Sequence, residues 1–158
     1  MPTHYKGDPK AVLALDTYIK FTRAANAFES RLFQTGILED LTPSQFGVLE
    51  TLYHLGPLCQ GEVSAKLLKS TGNITLVLDN LEKRGLVRRV REIEDRRMVK
   101  IFLTPEGEVL IRRVFPLMVE AITQEFGMLT AEEQAQLGIL CRKLGKKLVD
   151  QPELLQQE

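Results

Sequence analysis

Apolar residues recur at three- and four-residue spacing over most of the chain, and the pattern turns to alternation only between residues 87 and 103. In residues 9–35, Val12, Leu15, Ile19, Thr22, Ala25, Phe28 and Leu32 fall at the helical spacing and predict one long helix. Phe21 and Ala24 widen its stripe, which implies burial on more than one side, and Gly36 is the stop. A second helix opens at Thr42-Pro43-Ser44-Gln45. Thr42 can cap, Pro43 lacks an N–H that would be unpaired in the first turn, and Gln45 completes a capping box. Phe46, Leu49, Leu52 and Tyr53 mark its core face, and Gly56-Pro57 ends it. A short helix over about residues 60–68 turns Val63 and Leu67 inward. Ser70-Thr71 then caps a helix to about Arg84 with Ile74, Val77, Leu78 and Leu81 on its apolar face and Gly85 as its stop. Two helices joined by a tight turn, the second with a polar face, form a helix-turn-helix pattern.

Val87 to Val90 reads as a strand, and Val99, Ile101 and Leu103 alternate with Met98, Lys100 and Phe102 in another. The segment between them, about 91–97, is a loop dense in charge. Thr104-Pro105 opens a long helix to about Met128, and Thr130 with Glu133 forms a second capping box before a helix to about Val149. The fold class expected is mainly α with a small β-hairpin wing. A winged helix-turn-helix lobe over 42–104 joins a helical dimerisation region over 9–35 and 105–149. Helices of about 25 residues are ~37 Å long at 1.5 Å per residue, more than a small lobe covers. The terminal helices are therefore expected to pack on each other and on a second copy of the chain.

Charge sharpens this picture. The 158 residues hold 21 basic and 21 acidic side chains. Nine of the basic ones lie between Lys69 and Thr104, against five acids, so this stretch carries an excess of four cations and the remainder an equal excess of anions. Cations gathered on one helix and hairpin suit a polyanion, and double-stranded DNA is the partner that suits the unit best. The N-terminal MPTHYKGDPKAV has no apolar run of signal-peptide type, and no stretch of about 18 apolar residues occurs. With only Cys59 and Cys141, this fits a cytoplasmic protein with reduced thiols and no membrane partner. His4 and His54 are too few for a histidine-built metal site, and no Gly-rich phosphate loop or zinc-spaced Cys pair is present. No cofactor is implied. Neither histidine has a partner in a catalytic motif, which counts against an enzyme.

Three motifs stand in register. The first is Leu41-Thr42-x-x-Gln45-Phe46-x-Val48-Leu49, the second Leu81-Glu82-Lys83-Arg84-Gly85-Leu86-Val87. The third is Asp95-x-Arg97 followed by Leu103-Thr104-Pro105-Glu106-Gly107. By these the chain resembles the MarR family of winged helix-turn-helix transcription regulators over about residues 10–148. The resemblance implies a homodimer joined through the first and last two helices and gripping a pseudo-palindromic operator. It also implies a repressor that leaves DNA when a small ligand or an oxidant alters the spacing of the lobes.

The candidate DNA-binding residues follow. Ser70, Thr71, Gly72 and Asn73 combine small side chains, hydrogen-bonding groups and a helix N-terminus that favours phosphate. Asn73 can read adenine and Thr75 can use its hydroxyl or methyl, with Leu76 beside them. The plain alternative for Ser70, Thr71 and Asn73 is capping alone. Lys83 and Arg84 serve either phosphate or the helix's negative end. Arg88 and Arg89, with Arg91, are strand cations suited to phosphate. Arg96 and Arg97 at the hairpin tip suit a narrow minor groove, and Asp95 can orient a guanidinium through paired hydrogen bonds. A solvated charge run is the plain alternative. Tyr18, Phe21, Phe46 and Phe115 are the candidates for a pocket taking a small aromatic or phenolic effector, and plain core is the simpler account of each. Cys59 is the candidate redox sensor against an inert buried thiol, and Cys141 reads as packing. A winged-helix protein-interaction module without specific DNA binding is the second reading; the cations of the wing, Arg96, Arg97 and Lys100, weigh against it.

Overall fold

The computed structural model describes residues 3–68, 70–91 and 99–145. The elements in order are α1 (Pro9–Gln34), α2 (Pro43–Leu55), β1 (Leu58–Cys59), α3 (Gln60–Leu67), α4 (Thr71–Lys83), β2 (Val87–Arg91), β3 (Val99–Leu103), α5 (Pro105–Phe126) and α6 (Ala131–Gly145). The chain divides into two compact units, Met1–Ala121 and Ile122–Glu158. The division falls inside α5.

In the first unit the expected caps form. Thr42 Oγ1 accepts from the Gln45 amide while Gln45 Oε1 accepts from the Thr42 amide. Together they satisfy two donors that a helix start leaves unpaired. Ser70 Oγ accepts from the Asn73 amide at the start of α4. Gly85, with φ of 69°, ends that helix, and the Leu86 amide donates to the Leu81 carbonyl in the closing turn. Val48 and Leu49 of α2, Val63 of α3, Ile74, Leu78 and Leu81 of α4, Ile101 of β3 and Ile111 and Val114 of α5 are wholly buried together. This single core holds α4 by its apolar face.

Two features differ from the sequence reading. The sheet has three strands in the order β1-β3-β2, all antiparallel. Leu58 pairs with Ile101 and Arg89 with Ile101 on the other side, so β3 is the central strand. The stripe of α1, expected to be covered on more than one side, is open: Leu32 is its one buried residue. Leu13, Leu15, Tyr18 and Phe21 are exposed.

The second unit holds the end of α5 and α6. Thr130 and Glu133 form the expected reciprocal cap. No residue of α6 is buried, and Leu137, Ile139, Leu140 and Leu144 are exposed. Cys141, expected to pack, is exposed among them. The continuation of this helix toward Val149 lies outside the described residues.

Candidate nucleic-acid interface

The turn between α3 and α4 runs through Leu68, a non-glycine residue in the left-handed region with φ of 51° and 91% exposed. From there α4 leaves with two distinct faces. Ile74, Val77, Leu78 and Leu81 enter the core, while Asn73, Leu76, Asn80 and Lys83 are exposed. The latter four follow the spacing that aligns side chains along one helical stripe. Leu76 is 64% exposed, an apolar side chain on the polar side of the helix. Ser70 and Gly72 are exposed at the start of this surface, and a side chain at Gly72 would meet only open space. Thr71 is the first residue of α4. Asn80 was not singled out from the sequence; its place seven residues after Asn73 is the signal that marks it.

The other candidates divide. Thr75 is half-buried, and its hydroxyl accepts a 2.6 Å hydrogen bond from Gln60 Nε2. It ties α4 to α3 beside the exposed stripe. Arg84 points back to the α1–α2 connection, donating to the Asp40 carbonyl at 3.1 Å and to Gln45 Oε1 at 3.4 Å. Arg88 is exposed and stacks its guanidinium over the Phe102 ring at 4.7 Å. Arg89 is held by α4. Its amide and Nη1 donate to Glu82 Oε1 and Oε2 at 3.0 and 2.7 Å, and Nη2 lies 2.7 Å from Asp79 Oδ1. Partial burial pulls the Arg89 pKa down, but the hydrogen bonds to Asp79 and Glu82 outweigh it and hold the group above its ordinary value. Asp95, Arg96 and Arg97 lie outside the described residues.

The four aromatic effector candidates are not brought together. Tyr18 and Phe21 are exposed on α1, and Phe46 is buried in the core. Phe115 is half-buried, with its ring 4.7 Å from that of His54 and 6.4 Å from that of Tyr53. Next to these rings opens a cleft of about 610 Å³ lined by Tyr53, His54, Pro57, Phe102, Glu108 and Arg112, among others. Arg112 lies over the Tyr53 ring and pairs with Glu108 at 2.7 Å. Cys59 is half-buried, and its amide donates to Glu62 Oε2. Among the described residues no group of three His, Cys, Asp or Glu is placed to hold a metal. No described helix is long and apolar enough to cross a membrane.

The model of the MarR family matches residues 41–99, the span from the start of α2 into β3. The chain is 32% identical over 132 residues to the HTH-type transcriptional regulator YkoM of Bacillus subtilis, covering 84% of this chain and 86% of YkoM. The chain belongs to the MarR family. Among solved MarR-like structures it is similar to the PcaV transcriptional regulator of Streptomyces coelicolor in complex with its natural ligand. That match has a TM-score of 0.73 and 28% identity, over 84% of this chain and 92% of PcaV. It is also similar to NadR in complex with 4-hydroxyphenylacetate, with a TM-score of 0.69 and 25% identity over 92% and 99% of the two chains. This MarR protein is a DNA-binding transcriptional regulator and not an enzyme. The stripe of Asn73, Leu76, Asn80 and Lys83 on α4 is the exposed face of the second helix of its helix-turn-helix.

Proposed function

We propose that this MarR protein is a repressor that binds a pseudo-palindromic operator as a homodimer. One observation carries the reading: α4 buries one face completely and presents Asn73, Leu76, Asn80 and Lys83 along the other. A helix so mounted fits the major groove, where Asn can pair with adenine and Leu can meet a thymine methyl. Ser70, Thr71 and Gly72 offer phosphate contacts at its start. Lys83 and Arg88 add backbone contacts, and Arg96 and Arg97 enter the minor groove with Asp95 orienting Arg97. The uncovered apolar faces of α1 and of α6 support dimerisation, since a monomer would leave both in water.

A small aromatic or phenolic acid is the proposed releasing signal. PcaV and NadR each accommodate a ligand. The cleft beside Phe115 joins aromatic walls to the guanidinium of Arg112. Tyr18 and Phe21 of α1 are available to close it from a second protomer, with Phe46 as core support. Cys59 is the site at which an oxidant would act.

Two measurements test this. Light scattering gives the mass, which Phe21→Glu should halve. Titration of a labelled promoter duplex against salt should give a log–log slope near −7 for ~8 phosphate contacts per dimer. A monomer, or a slope shallower than about −2, would favour the protein-interaction reading.

A further inference from the structure

We infer that Arg89 is a positioning residue that sets the rotation of α4 against the wing, and that it reaches no phosphate itself; this rests on the reading of α4 as the DNA-facing helix. Arg89 stands on β2, a strand of the wing, where a cation would ordinarily be assigned to the DNA backbone. Its side chain is only 22% exposed, and among the described residues the side-chain partners are Thr75, Asp79 and Glu82 of α4. Besides the two Glu82 bonds and the Asp79 pair, Nη2 reaches the Thr75 carbonyl at 3.5 Å. Residues 75, 79 and 82 lie on one face of the helix, spanning two turns.

A rigid guanidinium fork bridging two turns from a neighbouring strand fixes more than distance. It fixes the angle of α4 about its own axis, and that angle aims Asn73, Leu76 and Asn80. Thr75 is tied at the same level to Gln60 of α3, so α3, α4 and β2 are locked at one point. The charge of the cluster argues the same way. One guanidinium between two carboxylates leaves a net negative spot, which repels a phosphate.

Coulomb attraction and positioning therefore make opposite statements about Glu82. Removing its charge strengthens DNA binding if the cluster acts only through the field, and weakens specific binding if the fork orients the helix. Arg89→Lys is the second discriminating change. A lysine keeps the charge and suits a phosphate, but one ammonium cannot span Thr75, Asp79 and Glu82.

The experiment uses a duplex enriched by the wild-type full chain from a random pool. Affinity for it and for a scrambled duplex is measured across salt for wild type, Arg89→Lys, Arg89→Gln and Glu82→Gln, each first shown to melt cooperatively. The expected result is that all three variants lose roughly tenfold or more in the ratio of specific to scrambled affinity, with the salt slope on scrambled DNA unchanged. Arg89→Lys matching wild type, a slope lower by about two per dimer in Arg89→Gln, or tighter specific binding by Glu82→Gln would each overturn the inference. Failure of the wild type to enrich any duplex would instead overturn the DNA-facing reading of α4.

Discussion

Gly107 lies directly against the backbone carbonyl of Leu86: a Cβ at position 107 would overlap that oxygen. Leu86 leads from α4 into β2, and Gly107 is in the first turn of α5. Thr104 ties the same junction, its amide donating to the Leu86 carbonyl at 3.1 Å and its hydroxyl to the Gly85 carbonyl at 2.6 Å. The Thr104-Pro105-Glu106-Gly107 run thus has a physical purpose. It brings the end of β3 and the start of α5 onto the exit of α4 at backbone contact.

Gly107→Ala should therefore lower stability by about 2–3 kcal/mol, because the backbone must separate to admit a methyl group. Urea denaturation measures this. Equal midpoints for variant and wild type would mean the two backbones are not in contact.

The two faces of α4 should respond oppositely to the same truncation. Leu81 is wholly buried, and Leu81→Ala should cost about 3 kcal/mol through lost contacts and a cavity. Leu76→Ala should change stability by less than about 0.5 kcal/mol while weakening operator binding. Denaturation and a DNA titration on both variants check this; a stability loss for Leu76→Ala as large as for Leu81→Ala would mean that α4 is mounted the other way round.

Asn73 and Asn80 should each govern base preference rather than general affinity. Replacing either with alanine should relax discrimination by ~1–3 kcal/mol at one position per half-site if it makes a bidentate contact. Competition between the operator and single-base variants reads this out. Unchanged preferences in both variants would shift base reading to Leu76 or to the wing.

Much of this arrangement was legible in the sequence because local chemistry dictated it. Thr42 with Gln45, Ser70 with Asn73, and Gly85 each mark a helix end by which backbone groups they satisfy or which φ they permit. The buried face of α4 followed from spacing alone. What escaped was set by contacts across the fold. Leu58 and Cys59 form a strand only because β3 offers an edge, and two residues carry no alternation to read. The pairing of Arg89 with Asp79 and Glu82 was not legible because those acids are ten and seven residues earlier, on another element. The apolar stripe of α1 was legible as a face, whereas whether anything packs over it is set by the rest of the fold and not by spacing.

For the wing, the family pattern Asp95-x-Arg97 sets a test of sign. Arg97→Ala should weaken operator binding by removing a minor-groove cation. Asp95→Ala should weaken it as well, although it removes a negative charge beside DNA. Parallel titrations of the two variants measure this, and tighter binding by Asp95→Ala would exclude an orienting role.

The most direct test of DNA reading by paired α4 helices is enrichment of random duplex DNA on the purified full-length protein, followed by sequencing. The result expected is one inverted repeat whose half-sites are centred about one helical turn, ~10 base pairs, apart, with strongest preference at the bases met by Asn73 and Asn80. Enrichment of no sequence, or of a single unrepeated site, would contradict it.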